Sequence, residues 1–288
     1  LKVDSEENSY IDEWGIKYRM PPGGFYYDIA TSPLEHMSLD EIKKYKFPDP
    51  YNPGRVKDLK EKYRQLHDNT DYALIIYCPT GGVFEHSYYL RGIERLYEDM
   101  ASNLKIIDYL AGKIAEWQIG FWDNILSAIG DYVHIVQVGD DLGHQEGLLF
   151  SPEIYRKYYK PREKMIISSI KKKTNAKIYF HSCGAIYDLI PDLIEIGIDI
   201  LNPVQISARG MDSKKLKKEF GKDITFWGGG CDPQKILPYG SPNDVKEEVK
   251  RRIDDFAPEG GFVFASVHNI QPNIPPENIV AMYETALE

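Results

Sequence analysis

Residues 177–184 read KIYFHSCG, an apolar run ending in a histidine and a cysteine two positions apart, with a glycine to release the chain. Alternate residues of a strand face the same side. The run therefore predicts a strand over 177–181 that presents the nitrogen of His181 and the sulfur of Cys183 to one spot. That pairing suits a soft, tetrahedral divalent ion such as zinc. Two ligands do not make a site, and an isolated H-x-C reads as readily as a packed histidine beside an inert thiol. A third donor has to come from elsewhere in the chain.

Similar runs lie on both sides. Strands are expected at 73–78, 132–138, 199–202, 224–227 and 261–267. Between them fall helical patterns at about 91–130, 186–196 and 213–220. Ser151-Pro152, Ser241-Pro242 and Pro275-Pro276 supply helix starts. In the segment after Ser241, Val245, Val249, Ile253 and Phe256 share one face at helical spacing. Six strand-then-helix units in series argue for an α/β fold with a parallel sheet. No Gly-x-Gly-x-x-Gly follows the first strand, which speaks against a dinucleotide-binding domain. A (β/α)8 TIM barrel takes about eight units and roughly 250 residues. Residues 1–30 stand apart as a small antiparallel β-hairpin around Asp12-Glu13-Trp14-Gly15. With no repeat, low-complexity tract or linker in view, one domain over 1–288 is expected. Because the chain opens on Leu1, an upstream segment is expected to be missing.

The unusual polar residues gather just after the strands. They are Asp140, Asp141 and Gln145, then His181 and Cys183, then Gln205, then Gly228-Gly229-Gly230-Cys231, and finally His268 and Asn269. In a parallel barrel all these strand ends meet at one mouth, where such folds do their chemistry. Asp140 and Asp141 are candidates for proton transfer, metal binding or substrate anchoring, and at least one of them is expected to be a loop aspartate capping backbone. The triple glycine can cradle an anion through its amides or simply allow a sharp turn. Cys78, at the end of the first strand, reads as a packing residue. His268 and Cys231 both qualify as the third metal ligand, and spacing alone does not choose between them.

Composition narrows the partners. The 288 residues carry a formal charge of -9 with mixed signs, which argues against nucleic acid as the main partner, since neutralising phosphates needs a basic face. No apolar stretch reaches the length of a membrane span. Three cysteines make a poor disulfide framework and fit a reducing cytoplasm.

Four segments, VGDDLGHQEGLLFSPEIYRKYYKP (138–161), IYFHSCGAIYDLIPDLIEIGIDILNPVQ (178–205), GGGCDPQKILPYGSPNDVKEEVKRRID (228–254) and HNIQPNIPPENIVAMYE (268–284), together resemble the uroporphyrinogen decarboxylase superfamily. More narrowly they resemble its corrinoid-dependent methyltransferase branch, with O-demethylase components the favoured comparison. The likeness runs collinearly from about Asp71 to the end, and the DEWG hairpin fits it too. It implies a (β/α)8 barrel with its cleft at the strand C-termini. It also implies a zinc held by H-x-C and a later cysteine. His181 and Cys183 carry over directly, whereas the later position aligns with His268, leaving Cys231 in reserve. The resemblance further implies a small methylated donor, a methoxylated aromatic being favoured, and a separate protein carrying the corrinoid. Asp140 or Asp141 would then act as proton donor or anchor, with Gln145, Gln205 and Asn269 orienting the substrate. Transfer from methylcobamide to a thiol and decarboxylation of uroporphyrinogen are the rival activities. The paired nitrogen and sulfur of HSCG, which a cofactor-free decarboxylase does not need, favour methyl transfer.

Overall fold

A computed structural model describes residues 2–288. The chain opens with four short strands, β1 (Lys2–Asp4), β2 (Ser9–Ile11), β3 (Lys17–Arg19) and β4 (Asp28–Thr31), paired in order as an antiparallel meander. The expected hairpin is its central pair. Asp12 makes the turn by accepting the N–H groups of Trp14 and Ile16, both at 2.9 Å. Stacking of Tyr10 on Tyr18 then pins the register, with ring centroids 4.9 Å apart. The outer strands were not legible because β1 is exposed along its length and β4 nearly so, which leaves no apolar alternation to read.

All six expected parallel strands are present. They are β5 (Ile75–Tyr77) and β6 (Ile135–Gly139), then, after a two-residue hairpin of β7 (Gly143–His144) and β8 (Gly147–Leu148), β9 (Lys177–His181), β10 (Ile200–Asn202), β11 (Thr225–Trp227) and β12 (Phe262–Val263). Their order in the sheet is β12-β11-β10-β9-β6-β5, and every neighbouring pair is parallel. Among the described residues β5 and β12 form the two edges. Val136, Ile178, Leu201 and Phe226 lie on one face of the sheet and are fully buried. Phe226 meets Phe256 of the helix Pro242–Phe256 with ring centroids 5.2 Å apart. Burying each such side chain contributes about 1.5–3 kcal/mol. The alternate residues, including Tyr179, His181 and Asn202, share the opposite face.

The long helical region is three helices, Val83–Arg91, Ile93–Ser102 and Leu104–Ile129, interrupted at Gly92 and Asn103. The described chain gathers into two compact units. One comprises residues up to Tyr72 with Cys78–Tyr132 and Lys157–Thr174; the other comprises Ala73–Tyr77, Val133–Arg156 and Asn175–Glu288. Their segments interleave in sequence, so no single linker separates them and none could be read. The first unit is anchored by the fully buried Arg91, whose guanidinium donates to Asp99 at 2.7 Å and to the carbonyls of Glu35 and Met37. Paired this completely, a buried charge is tolerable. The second unit holds the parallel sheet and every candidate site residue. No helix among the described residues is long and apolar enough to cross a membrane.

Candidate metal centre at the end of the third parallel strand

The site is built on β9 and its two neighbours. His181 closes β9, opposite Gly139 of β6 on one side and Asn202 of β10 on the other. At Gly139 a side chain is not possible: an added Cβ would stand 2.7 Å from the His181 carbonyl oxygen and 2.8 Å from its Cβ. Beyond the strand the alternation persists for two residues. Ser182 turns inward and is fully buried, its N–H donating to the Asn202 carbonyl at 2.7 Å and its hydroxyl oxygen accepting the Leu142 N–H at 3.1 Å. Cys183 therefore returns to the face of His181. Gly184 then redirects the chain with a φ of +89°, in a spot where a Cβ would lie 2.4 Å from the Gly143 carbonyl carbon.

The expected pair forms. The His181 Nε2 and the Cys183 Sγ are 3.6 Å apart. The third donor beside them is Asp141: its carboxylate oxygen lies 4.0 Å from the His181 Nε2 and accepts the Cys183 N–H at 2.8 Å. One donor atom from each of the three residues falls within 4.8 Å of the others, and all three residues are half-buried. Imidazole nitrogen, thiolate and carboxylate oxygen are together a donor set that zinc accepts.

The other candidates are placed differently. His268 sits on an exposed stretch after β12, where its carbonyl accepts the Ser266 hydroxyl at 2.7 Å, and it is not part of the donor group. Cys231 is fully buried in an apolar cluster with Leu237, Val245, Val249 and Met282, and it too lies outside the donor group. Burial first, and then the carboxylates of Glu248 and Asp232, push its thiol up to about 12. The third donor atom beside His181 and Cys183 thus comes from the β6 loop and not from the last strands. Asp140 is buried, its N–H extending the ladder to the His181 carbonyl at 2.9 Å, and its side chain is outside the group. The two adjacent aspartates avoid sharing one buried pocket because only Asp140 is buried.

Gln205 and Gln145 are committed to holding the loops. The Gln205 amide oxygen accepts the Gly184 N–H at 2.8 Å, and its amide nitrogen donates to the Gln145 Oε1 at 2.9 Å. Gln234 donates to that same oxygen at 3.1 Å, and the Gln145 amide nitrogen donates to the Ser207 carbonyl. Asn269 is exposed, its carbonyl accepting the Gln271 side chain at 3.3 Å. The Gly228 and Gly230 N–H groups donate to Val263 and Ala265, so the triple glycine serves the turn and the sheet rather than an anion. Cys78 is partly buried, its sulfur 3.1 Å from the Thr80 hydroxyl, and burial pushes its thiol up to about 11.

Nothing in the local sequence assigns a role to Asn202. Its Oδ1 lies 2.8 Å from the His181 Nδ1, and its Nδ2 donates to the Trp227 carbonyl at 3.1 Å. The available signal was positional, since Asn202 ends β10 at the register where His181 ends β9.

The uroporphyrinogen decarboxylase (URO-D) family profile matches residues 11–288, and the chain belongs to that family. Uroporphyrinogen decarboxylase of Pelodictyon phaeoclathratiforme is 23% identical over 223 residues, which are 75% of this chain and 57% of that protein. The enzyme of Geotalea daltonii is 29% identical over 145 residues, 48% of this chain and 38% of that protein. The enzyme of Staphylococcus saprophyticus is 24% identical over 297 residues, spanning 91% and 78% of the two chains. The chain thus spans about half the length of the first of these relatives and less of the second. A solved structure described as a methyltransferase from Methanosarcina mazei superposes with a TM-score of 0.67 at 19% identity, covering 94% of this chain and 75% of that one. The shared architecture is the URO-D-like α/β fold with its parallel sheet.

Proposed function

We propose that this protein is a zinc-assisted methyltransferase that passes a methyl group from a small methylated substrate to the cobalt of a separate corrinoid protein. The observation supporting this reading is the convergence of the His181 nitrogen, the Cys183 sulfur and an Asp141 oxygen within 4.8 Å at a strand end. Zinc held by three protein donors would leave a fourth position for substrate, which is the pattern of catalytic rather than structural zinc.

The chemistry asks for such a site. A methyl ether or amine is a poor methyl donor because its leaving oxygen or nitrogen is too basic. A bound zinc would supply Lewis acidity to that departing atom. His181, Cys183 and Asp141 hold the three donors; the Cys183 N–H fixes the Asp141 carboxylate. The glutamine chain of Gln145, Gln205 and Gln234 keeps the surrounding loops in place. With Asp141 in the donor set, Asp140 is the carboxyl left for proton transfer. Tyr179, two residues before His181 on the same face, meets the Trp227 ring edge-on with centroids 5.3 Å apart. This pair packs with Ile135 and Ile200 in a buried cluster; a methoxylated arene is favoured as the substrate on the family resemblance. Three free cysteines fit a reducing cytoplasm.

The curated relatives named above are uroporphyrinogen decarboxylases, which supports decarboxylation as the second reading. One set of assays separates the readings. Purified protein is incubated with a reduced corrinoid protein and methoxyarenes, methylamines or methylated thiols, and cobalt methylation is followed in the corrinoid absorbance spectrum. The expected outcome is methylation from a methoxyarene that depends on zinc. Demethylation of methylcobamide by a thiol would reverse the direction of transfer. Carbon dioxide release from uroporphyrinogen, unaffected by a chelator, would replace the proposal by the second reading.

A further inference from the structure

We infer that Asn202 is a positioning residue that fixes the tautomer of His181, so that Nε2 is offered to the metal as a bare lone pair. The argument starts from the Trp227 carbonyl, which can only accept a hydrogen bond. It lies 3.1 Å from the Asn202 side-chain nitrogen, so the amide NH2 faces Trp227 and the amide oxygen faces His181. That oxygen is 2.8 Å from the His181 Nδ1. An amide oxygen cannot donate, so Nδ1 carries the hydrogen. In a neutral imidazole Nε2 is then without one, and Nε2 is the atom 3.6 Å from the Cys183 sulfur.

The arrangement is held from several sides. Asn202 is only 8% exposed and pairs directly with His181 in the sheet register. Its carbonyl accepts the Ser182 N–H at 2.7 Å, so the residue that orients the imidazole also braces the turn between His181 and Cys183. A histidine on a metal commonly gives its other ring N–H to a fixed acceptor, and losing that acceptor typically weakens metal binding ten- to a hundred-fold. The purpose assigned here rests on the zinc reading above; the tautomer itself rests on the hydrogen bonds alone.

The two are tested separately. Nitrogen-15 NMR of the histidine rings in metal-free protein, well above the ordinary histidine titration range, reads the tautomer directly. His181 is expected as the Nδ1–H form in the wild type and in Asn202→Asp, which keeps an acceptor opposite Nδ1. Asn202→Leu, which removes it, should lose that form. Competition with a chromogenic chelator should show zinc held ten- to a hundred-fold more weakly by Asn202→Leu than by the wild type, with Asn202→Asp close to the wild type. A wild-type ring protonated on Nε2 overturns the inference, and that measurement needs no variant to fold. A leucine variant with unchanged tautomer and unchanged zinc affinity overturns it equally. Protein that shows the Nδ1–H ring but takes up no zinc supports the tautomer assignment and removes the metal reading instead.

Discussion

The ends of β9 and β11 each release a cysteine, and the two thiols meet opposite surroundings. Cys183 comes two residues after His181, on the same face, with the Asp141 carboxylate accepting its N–H. Cys231 comes four residues after Trp227 and sinks into an apolar cluster built largely by the helix Pro242–Phe256 and its neighbours. Both are cysteines just past a parallel strand beside glycine. What separates them is not parity, which is the same for both, but the turn itself: the HSCG step keeps the strand alternation, whereas the triple glycine, with Gly228 and Gly229 at positive φ, folds its cysteine into the interior. A thiol becomes a ligand where nitrogen and oxygen donors converge on it, and a packing group where its walls are mainly apolar side chains.

The largest expected effect breaks this contrast outright or upholds it. Cys183→Ala should purify without stoichiometric zinc, while Cys231→Ala should retain it, as read by elemental analysis of both proteins beside the wild type. Zinc lost from the second variant and kept by the first would invert the comparison.

A thiol-labelling experiment sharpens the same contrast through pH. Cys231 is pushed up to about 12, so its reactive thiolate is scarce at every ordinary pH. Relative to an unperturbed thiol, whose pKa is about 8.5, alkylation at pH 8 should be slower on the order of a thousand-fold. The rate should keep climbing as pH rises toward 12, because the raised value delays ionisation. Peptide mapping after iodoacetamide treatment of the folded protein gives both rates. Cys231 labelled as fast as an unperturbed thiol at neutral pH would mean that the cluster around it is open.

Asp141 carries a smaller but more discriminating expectation, because the family resemblance puts His268 in the third-ligand position. Asp141→Asn should weaken zinc binding by at least the ten- to hundred-fold typical of lost supporting partners. His268→Ala should leave it unchanged. Chelator competition measures both, and the reverse ranking would restore the sequence assignment.

The difference between His268, favoured by the resemblance, and Asp141, which lies beside His181 and Cys183, shows what the sequence makes readable. The six parallel strands announced themselves because each is a short apolar run, and the alternation inside 177–183 was enough to put His181 and Cys183 together. Asp141 was in view as a candidate, but its part in the donor set depends on how the β6 loop lies against the Cys183 N–H, a contact across 42 positions of chain. The same holds for Asn202, whose partner is 21 positions away in sequence and adjacent in the sheet. Local periodicity reports which face a side chain takes; it does not report which loop will reach that face. The inward turn of Cys231 is hidden in the sequence for a related reason. Its neighbours Gly228 to Gly230 mark a turn plainly, but the direction of that turn is set by hydrogen bonds to Val263 and Ala265, more than thirty residues on.

The smallest effect concerns what Cys231 does where it is. If it is a packing group, its surroundings should reject a hydroxyl of nearly the same size. Cys231→Ser would bury a hydroxyl among Leu237, Val245, Val249 and Met282, whose side chains offer its proton no acceptor, although the Asp232 N–H faces its oxygen. An unsatisfied buried hydroxyl costs about 1–3 kcal/mol. In a chain of this size that corresponds to a fall in Tm of a few degrees, with zinc content intact. Cys231→Ala keeps the site apolar and should cost less than the serine, since it trades only a small loss of packing for no polar burden. Thermal unfolding of the two variants therefore ranks alanine above serine if the hydroxyl proton is left without an acceptor, and serine level with or above alanine if the backbone around Asp232 satisfies the hydroxyl in full.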